Sequence, residues 1–183
     1  ERMCAPTSAP FSSTATLISA PQSTKNASGQ RDPEMGSTRK GKKWYHGMKA
    51  HVGVDHKTKL IHTLLATAGN VGDGPMIGQL LHGRERWVMG DKAYVGQRSA
   101  IKKAAPNARD LTLAKAQANK PLKVIDQHIN QQRSRIRSRV EHVFGVIKCV
   151  FGYDKLRYKG IAKNANQLFV VSALANLFMV RRK

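Results

Sequence analysis

Two carboxylates in this sequence stand where acid chemistry could be built. Asp91 follows the apolar run Trp87-Val88-Met89 and Gly90, and α/β folds present ligand groups just past the C-terminal end of such a strand. The same position also suits an Asp that only caps a turn. Glu141 lies beside the apolar stripe of a long helical segment, with Arg137 one turn before it and Lys148 two turns after it, so the three share a face. That spacing equally describes an ion pair on a solvated helix surface. Read together, a strand-end Asp and a helix Glu can hold Mg²⁺, a hard cation that takes one or two carboxylates plus water and phosphate oxygens. A pair of such ions about 3.5 to 4 Å apart activates one oxygen and stabilises another in phosphodiester chemistry.

The charge balance points to the same substrate. Among 183 residues, 32 Lys and Arg face 11 Asp and Glu, a formal charge of +21. Self-repulsion on that scale is relieved by a polyanion, and nucleic acid is the first candidate. The 40% hydrophobic content and the length fit one globular domain. Cys4 and Cys149 match neither a disulfide framework nor a zinc spacing, and the seven histidines show no H-x3-H pair. Prolines interrupt the N-terminal segment ERMCAPTSAPFSSTATLISAP, so it does not read as a signal peptide. The cysteine usage reads as a reducing compartment. The longest apolar stretch, Leu168 to Val180, is about 13 residues, short of a membrane span.

Positioning the two acids requires strands and a long helix. Thr14 to Ser19 reads as a first strand leaving at Ala20-Pro21, and residues 22–43 as an exposed basic loop. Alternation in WYHGMKAHVGVD and the following LIHTLLATAG predicts a hairpin. Asp73 reads as the cap of a short helix, Arg86 to Met89 as a buried strand, QRSAIKKAA as a helix stopped by Pro106, and Leu111 to Leu113 as a weak strand. From about His128 to Phe151, Ile136, Val140, Val143, Ile147 and Val150 recur at steps of 4, 3, 4 and 3, one apolar stripe on a long helix. Asn164 or Asn166 can cap a last, mostly apolar helix ending at Arg181-Arg182-Lys183. This order predicts an α/β fold, a mixed sheet flanked by helices. Aromatics interleave with cations at Trp44-Tyr45 and from Tyr153 to Tyr158, a pattern that suits either base stacking or ordinary packing. The four arginines at 133, 135, 137 and 139 form either a phosphate-binding strip or a solvated face.

Several segments resemble a known family. ATLISAPQSTKN, RDPEM, KGKKWYHGMKAHVGVDHKTKLIH, VMGDKAYVGQ, RSRVEHVFGVIKCVFGYDKLRYKGIAKN and ALANLFMVRRK are similar to the catalytic domain of bacterial insertion-sequence transposases of the IS-five group. The resemblance runs from about Ala15 to the end. It implies a ribonuclease-H-like fold, a centre of two Asp and one Glu with Mg²⁺ or Mn²⁺, and duplex DNA, both transposon ends and target, as substrate. Asp91 then matches the second acid and Glu141 the third, both as metal ligands. Arg137 and Lys148 match the basic partners of an Arg-x3-Glu-x6-Lys signature, orienting Glu141 or touching the DNA backbone. Ser134 replaces the tyrosine that often opens that signature.

The first acid is the departure. The family places it immediately before Ala-Thr-Leu-Ile, where this chain has Thr14. A hydroxyl is a poor substitute for a carboxylate on Mg²⁺. Residues 1–13 resemble no part of the family and read as foreign sequence joined to a truncated copy, leaving 14–183 as the catalytic domain. The expectation is therefore a transposase catalytic domain for metal-dependent DNA strand cleavage and transfer, in a truncated copy that loss of the first acid can leave inactive, with a catalytically dead basic DNA-binding remnant as the alternative. It is expected in the bacterial cytoplasm, at the nucleoid when DNA is bound, with no membrane and with a homodimer left open. Asp55 is the nearest alternative acid, and it also reads as a simple strand-end residue.

Overall fold

The computed structural model describes residues 11–116 and 120–181, less the side chains of 136–140. Six strands form one mixed sheet: β1 (Phe11–Ser19), β2 (Gly36–Lys40), β3 (Lys43–Asp55), β4 (Ile61–Ala68), β5 (Trp87–Met89) and β6 (Arg109–Asp110). The order is β2-β3-β1-β5-β6, with β4 also pairing β3. Central β3 runs antiparallel to β1 from Phe11↔Asp55 to Ser19↔Gly47, while β5 lies parallel to the start of β1. Its period-2 pattern explains this place in the sheet, because Met48, Ala50, Val52 and Val54 are all buried on one face. This mixed sheet flanked by helices is the expected α/β, ribonuclease-H-like plan. The expected boundary between 13 and 14 falls inside β1, whose first residues Phe11, Ser12 and Ser13 are buried. Residues 1–10 lie outside the described residues.

One expectation needs correction at the sheet edge. Residues 36–40 are a strand and not a loop, pairing Gly36↔Gly47 through Lys40↔Lys43. The segment lacks an apolar period because it is an edge strand exposed on most of its length, and Gly41, at φ 63°, makes the tight turn back. The weak strand falls two residues earlier than expected, at Arg109–Asp110, paired with Trp87 and Val88.

Four helices cover the sheet: α1 (Ile77–Leu80), which follows a 3₁₀ turn at Gly74–Met76, α2 (Arg98–Ala104), α3 (Val124–Gly145) and α4 (Ile161–Arg181). The larger core joins Met48, Ala50, Val52 and Val54 to Val143, Val146 and Ile147 after β6 and to Leu168, Ala175 and Met179 of α4. A smaller core packs Phe11 and Val88 against Ile77, Leu80, Tyr94 and Ile101. The long helical segment does not keep one period to its end. At Val146–Val150 it widens into a π turn, with Phe151 N–H donating to Val146 O at 3.1 Å. The wider turn advances less per residue, so Val146 joins Ile147 in the core and Val150 rotates out to half exposure. Ile136 and Val140, the first two members of the predicted stripe, have side chains outside the described residues.

The cap of α4 comes from far away in sequence. Asp32 Oδ2 accepts from Gly160 N–H at 2.6 Å and Glu34 Oε2 from Ile161 N–H at 2.7 Å. Carboxylates satisfy the orphan donors there and meet the positive end of the helix dipole. Asn166 is exposed. Asn164 is fully buried inside α4, where Nδ2 donates to Tyr158 O and Gly160 O, both at 2.7 Å, and Oδ1 accepts from Tyr158 N–H at 3.2 Å. Among the described residues no helix is long and apolar enough to cross a membrane.

On the other face of β3, Lys49 Nζ donates to Val71 O at 2.7 Å and to Asp73 Oδ1 at 3.0 Å. Asp73 thus spends its carboxylate on Lys49 and makes no side-chain cap, contrary to the sequence expectation. Buried His51 hydrogen-bonds Thr67 Oγ1 at 2.8 Å. Burial holds its pKa below the ordinary 6.5, with Asp73 pulling it back up and Lys49 pushing it further down. Below pH 6.5 the unfolded chain therefore takes up a proton that the folded chain resists, so this contribution to stability is complete above 6.5 and declines as pH falls through it. The melting temperature should drop between about pH 7 and pH 5, and less steeply in His51→Asn. An unchanged slope in that variant would place the loss elsewhere, first at His62, which burial also holds below 6.5.

Candidate active site

Thr14 lies in β1 and Asp91 just past β5, two strands that pair in parallel. Parallel pairing matches Phe11 to Val88 and Ser12 to Met89. Two residues beyond the last of these pairs stand Thr14, still within β1, and Asp91, in the turn that follows β5. Thr14 pairs with Val52 across the antiparallel side and so belongs to the face that packs on α3, as do Ser12 and Thr16. Chain geometry just past β5 is tight: a Cβ on Gly90 would stand 3.0 Å from Tyr94 side-chain atoms. Asp91 opens a 3₁₀ turn at Lys92–Tyr94 and accepts from Lys92 N–H at 2.6 Å through Oδ1. The capping role considered for Asp91 is therefore real, and it occupies one lone pair of a half-buried carboxylate that has others.

Helix α3 is fastened at both ends, and Glu141 lies between the fastenings. Near its start, Asn130 exchanges two 2.9 Å hydrogen bonds with the Ala114 backbone, and Arg133 donates to Thr112 O at 2.9 Å. Leu113 N–H in turn reaches Gly90 O at 3.2 Å, tying this end of α3 to the residue before Asp91. Beyond α3, Lys148 Nζ donates to Thr16 Oγ1 at 2.7 Å and to Leu17 O at 2.9 Å. At 1.5 Å per residue, exposed Glu141 stands roughly 12 Å along the axis from Arg133 and about 10 Å from Lys148. Its stretch of helix spans from the Asp91 loop to the middle of β1.

Lys148 thus has a geometric job that its spacing from Glu141 did not reveal. It joins the π turn to β1, and its burial pushes the ammonium pKa below 10.5, aided by Lys40 and opposed by Asp154 and Cys149. Arg137 has its side chain outside the described residues. Of the arginine strip, Arg133 is spent on Thr112 O, while Arg135 is exposed. Asn130 and Thr16, which fasten the helical segment, were not singled out in the sequence, and Arg133, read there as part of the arginine strip, is a fastening too. The one available signal was Asn130, an amide at a nearly buried position of a helix.

Three other acids are committed elsewhere. Asp55 accepts from both Thr58 N–H (2.6 Å) and Thr58 Oγ1 (2.9 Å), and it pairs with Phe11, on the sheet face opposite Thr14. Asp110 does the same for Thr112, and Glu85 accepts from His82 and Gly83 N–H. Among the described residues no group of three or more His, Cys, Asp and Glu is placed to hold a metal ion. Two carboxylates and a threonine do not make the acid set of a two-metal centre.

A model of the transposase DDE domain matches residues 15–177, nearly the whole chain. The chain belongs to the transposase DDE domain family. No solved structure matches it. The matched span opens one residue after Thr14 and takes in Asp91, Glu141 and Lys148. Transposase DDE domains act on DNA in transposition and work with divalent metal ions, so the basic surface of this member has its expected polyanion.

Proposed function

We propose that this chain is a transposase catalytic domain for DNA strand cleavage and transfer whose centre is one carboxylate short, so that it holds duplex DNA without cutting it. The supporting observation is Thr14, a neutral residue two positions past the last β1–β5 pair, as Asp91 is on the other side, while Asp55 sits on the opposite face of the sheet. In this reading Asp91 and Glu141 are the two remaining acids, the ligands that Mg²⁺ or Mn²⁺ would take. Lys148 fixes the end of the helical segment that carries Glu141 against β1, and Arg137 stands one turn from that Glu. The charge of +21 supplies the phosphate contacts.

Binding of a blunt duplex measured against salt tests the DNA half of the reading. Each neutralised phosphate releases counterions, and a protein making 6 to 10 phosphate contacts loses roughly 10³- to 10⁵-fold in affinity between about 50 and 200 mM salt. Steep weakening is the expected result, and an affinity indifferent to salt would overturn it. Metal-dependent nicking by the unmodified chain, abolished in Glu141→Gln, would overturn the other half.

A further inference from the structure

The loop after β1 and the segment before α4 enclose a cleft of about 190 Å³. Its lining includes Ala20, Pro21 and Met35, of which Ala20 and Met35 are buried, and one wall is Tyr158. Arg31, Arg157 and Lys159 also line it, and no ion pair among the described residues engages any of the three. The acid Asp32 lines it too, with its two oxygens accepting from Glu34 N–H and Gly160 N–H.

Two tyrosines of the GYDKLRYKG motif have opposite fates. Tyr153 is buried and donates to Asn164 O at 2.8 Å, with burial raising its pKa to about 12. Tyr158 is 52% exposed, while its backbone N–H and C=O are both held by the buried Asn164 amide. An aromatic ring kept at the surface by a rigid backbone loses little entropy when something stacks on it.

We propose that this cleft holds one unstacked base of a DNA strand, with the ring on Tyr158 and the flanking phosphates on Arg31, Arg157 and Lys159. An aromatic wall beside an apolar floor and a rim of cations is the chemistry of single-strand binding. The size suits it, since pockets that enclose whole drug-sized ligands run from about 300 to 1,000 Å³, and this one admits a single ring system. Six residues of strand separate Thr14 from Ala20, about 20 Å, so the cleft meets DNA some six base pairs from the acids. The proposal rests on the reading of the chain as a DNA-handling domain.

Anisotropy with a labelled 12-nucleotide oligothymidylate and with a blunt duplex of similar charge tests it, in the unmodified chain and in Tyr158→Ala and Tyr158→Phe. Stacking predicts that Tyr158→Ala weakens single-strand binding about tenfold, leaves duplex binding unchanged, and that Tyr158→Phe retains the original affinity. Equal losses for both DNAs, or no loss for either, would overturn the cleft assignment. So would a Tyr158-dependent affinity for a polyglutamate peptide above that for the oligonucleotide, which would mark an acidic protein segment as the occupant. Tyr158-dependent single-strand binding without duplex binding would support the cleft and sink the proposed function instead.

Discussion

Thr14→Asp should turn a chain that holds DNA into one that nicks it in Mg²⁺ or Mn²⁺. The substitution places a carboxylate on the α3-facing side of β1, two residues past the last pair with β5 and two residues from Thr16, where the Lys148 ammonium sits. Asp is a poorer strand residue than Thr by up to about 1 kcal/mol, so the metal-free variant should melt slightly below the unmodified chain. A divalent ion that binds only the folded state restores that loss by mass action. Two readouts therefore move together in Thr14→Asp alone: a melting temperature that rises with Mg²⁺, and nicking of a labelled duplex. A direct ligand should change apparent metal affinity by more than the roughly 10- to 100-fold that outer partners of a ligand contribute. Adding Glu141→Gln or Asp91→Asn to Thr14→Asp should remove both gains. If Thr14→Asp neither responds to metal nor nicks, the three positions do not converge and the assignment of Asp91 and Glu141 fails.

Asn164→Ala should be the most damaging single change outside the cores. Its amide makes three hydrogen bonds to the 158–160 backbone from a fully buried position. Truncation orphans the Tyr158 carbonyl and N–H, takes one donor from Gly160 O and leaves a cavity, and each orphaned buried group costs about 1 to 3 kcal/mol. With water reaching part of the opened site, a net loss of roughly 3 kcal/mol is expected, lowering the melting temperature by about 6 to 12 °C in a domain of this size. Asn166→Ala, on the exposed side of the same helix, should change it by less than about 2 °C. Equal effects of the two substitutions would mean that the Asn164 amide contributes nothing beyond helix propensity.

These two asparagines show how far a sequence can be read. Both are good capping residues ahead of an apolar helix, and nothing local separates them. The helix begins before either, at Ile161, because Asp32 and Glu34 satisfy its first donors from more than 120 residues away. Conversely, β3 was legible because alternation is a local property of a strand buried on one face. Edge strand β2 carries no such signal, having little to bury on either side. Of the predicted stripe, Val143 and Ile147 are buried and Val150 breaks it, because a π turn changes the period without changing the type of residue.

By itself the sequence determined the charge that selects a polyanion, the alternation and helical spacing that build a mixed α/β sheet with a long helix, and the absence of a carboxylate at position 14. These are matters of composition and local period, which survive without knowledge of contacts. Only the tertiary structure decided that Asp55 faces away from Thr14, that Asp73 serves Lys49, that Lys148 grips β1, and that Tyr153 is core while Tyr158 is surface. Each of those outcomes depends on which distant group meets a side chain in space. Residue type limits what such a group can do, and packing chooses its partner.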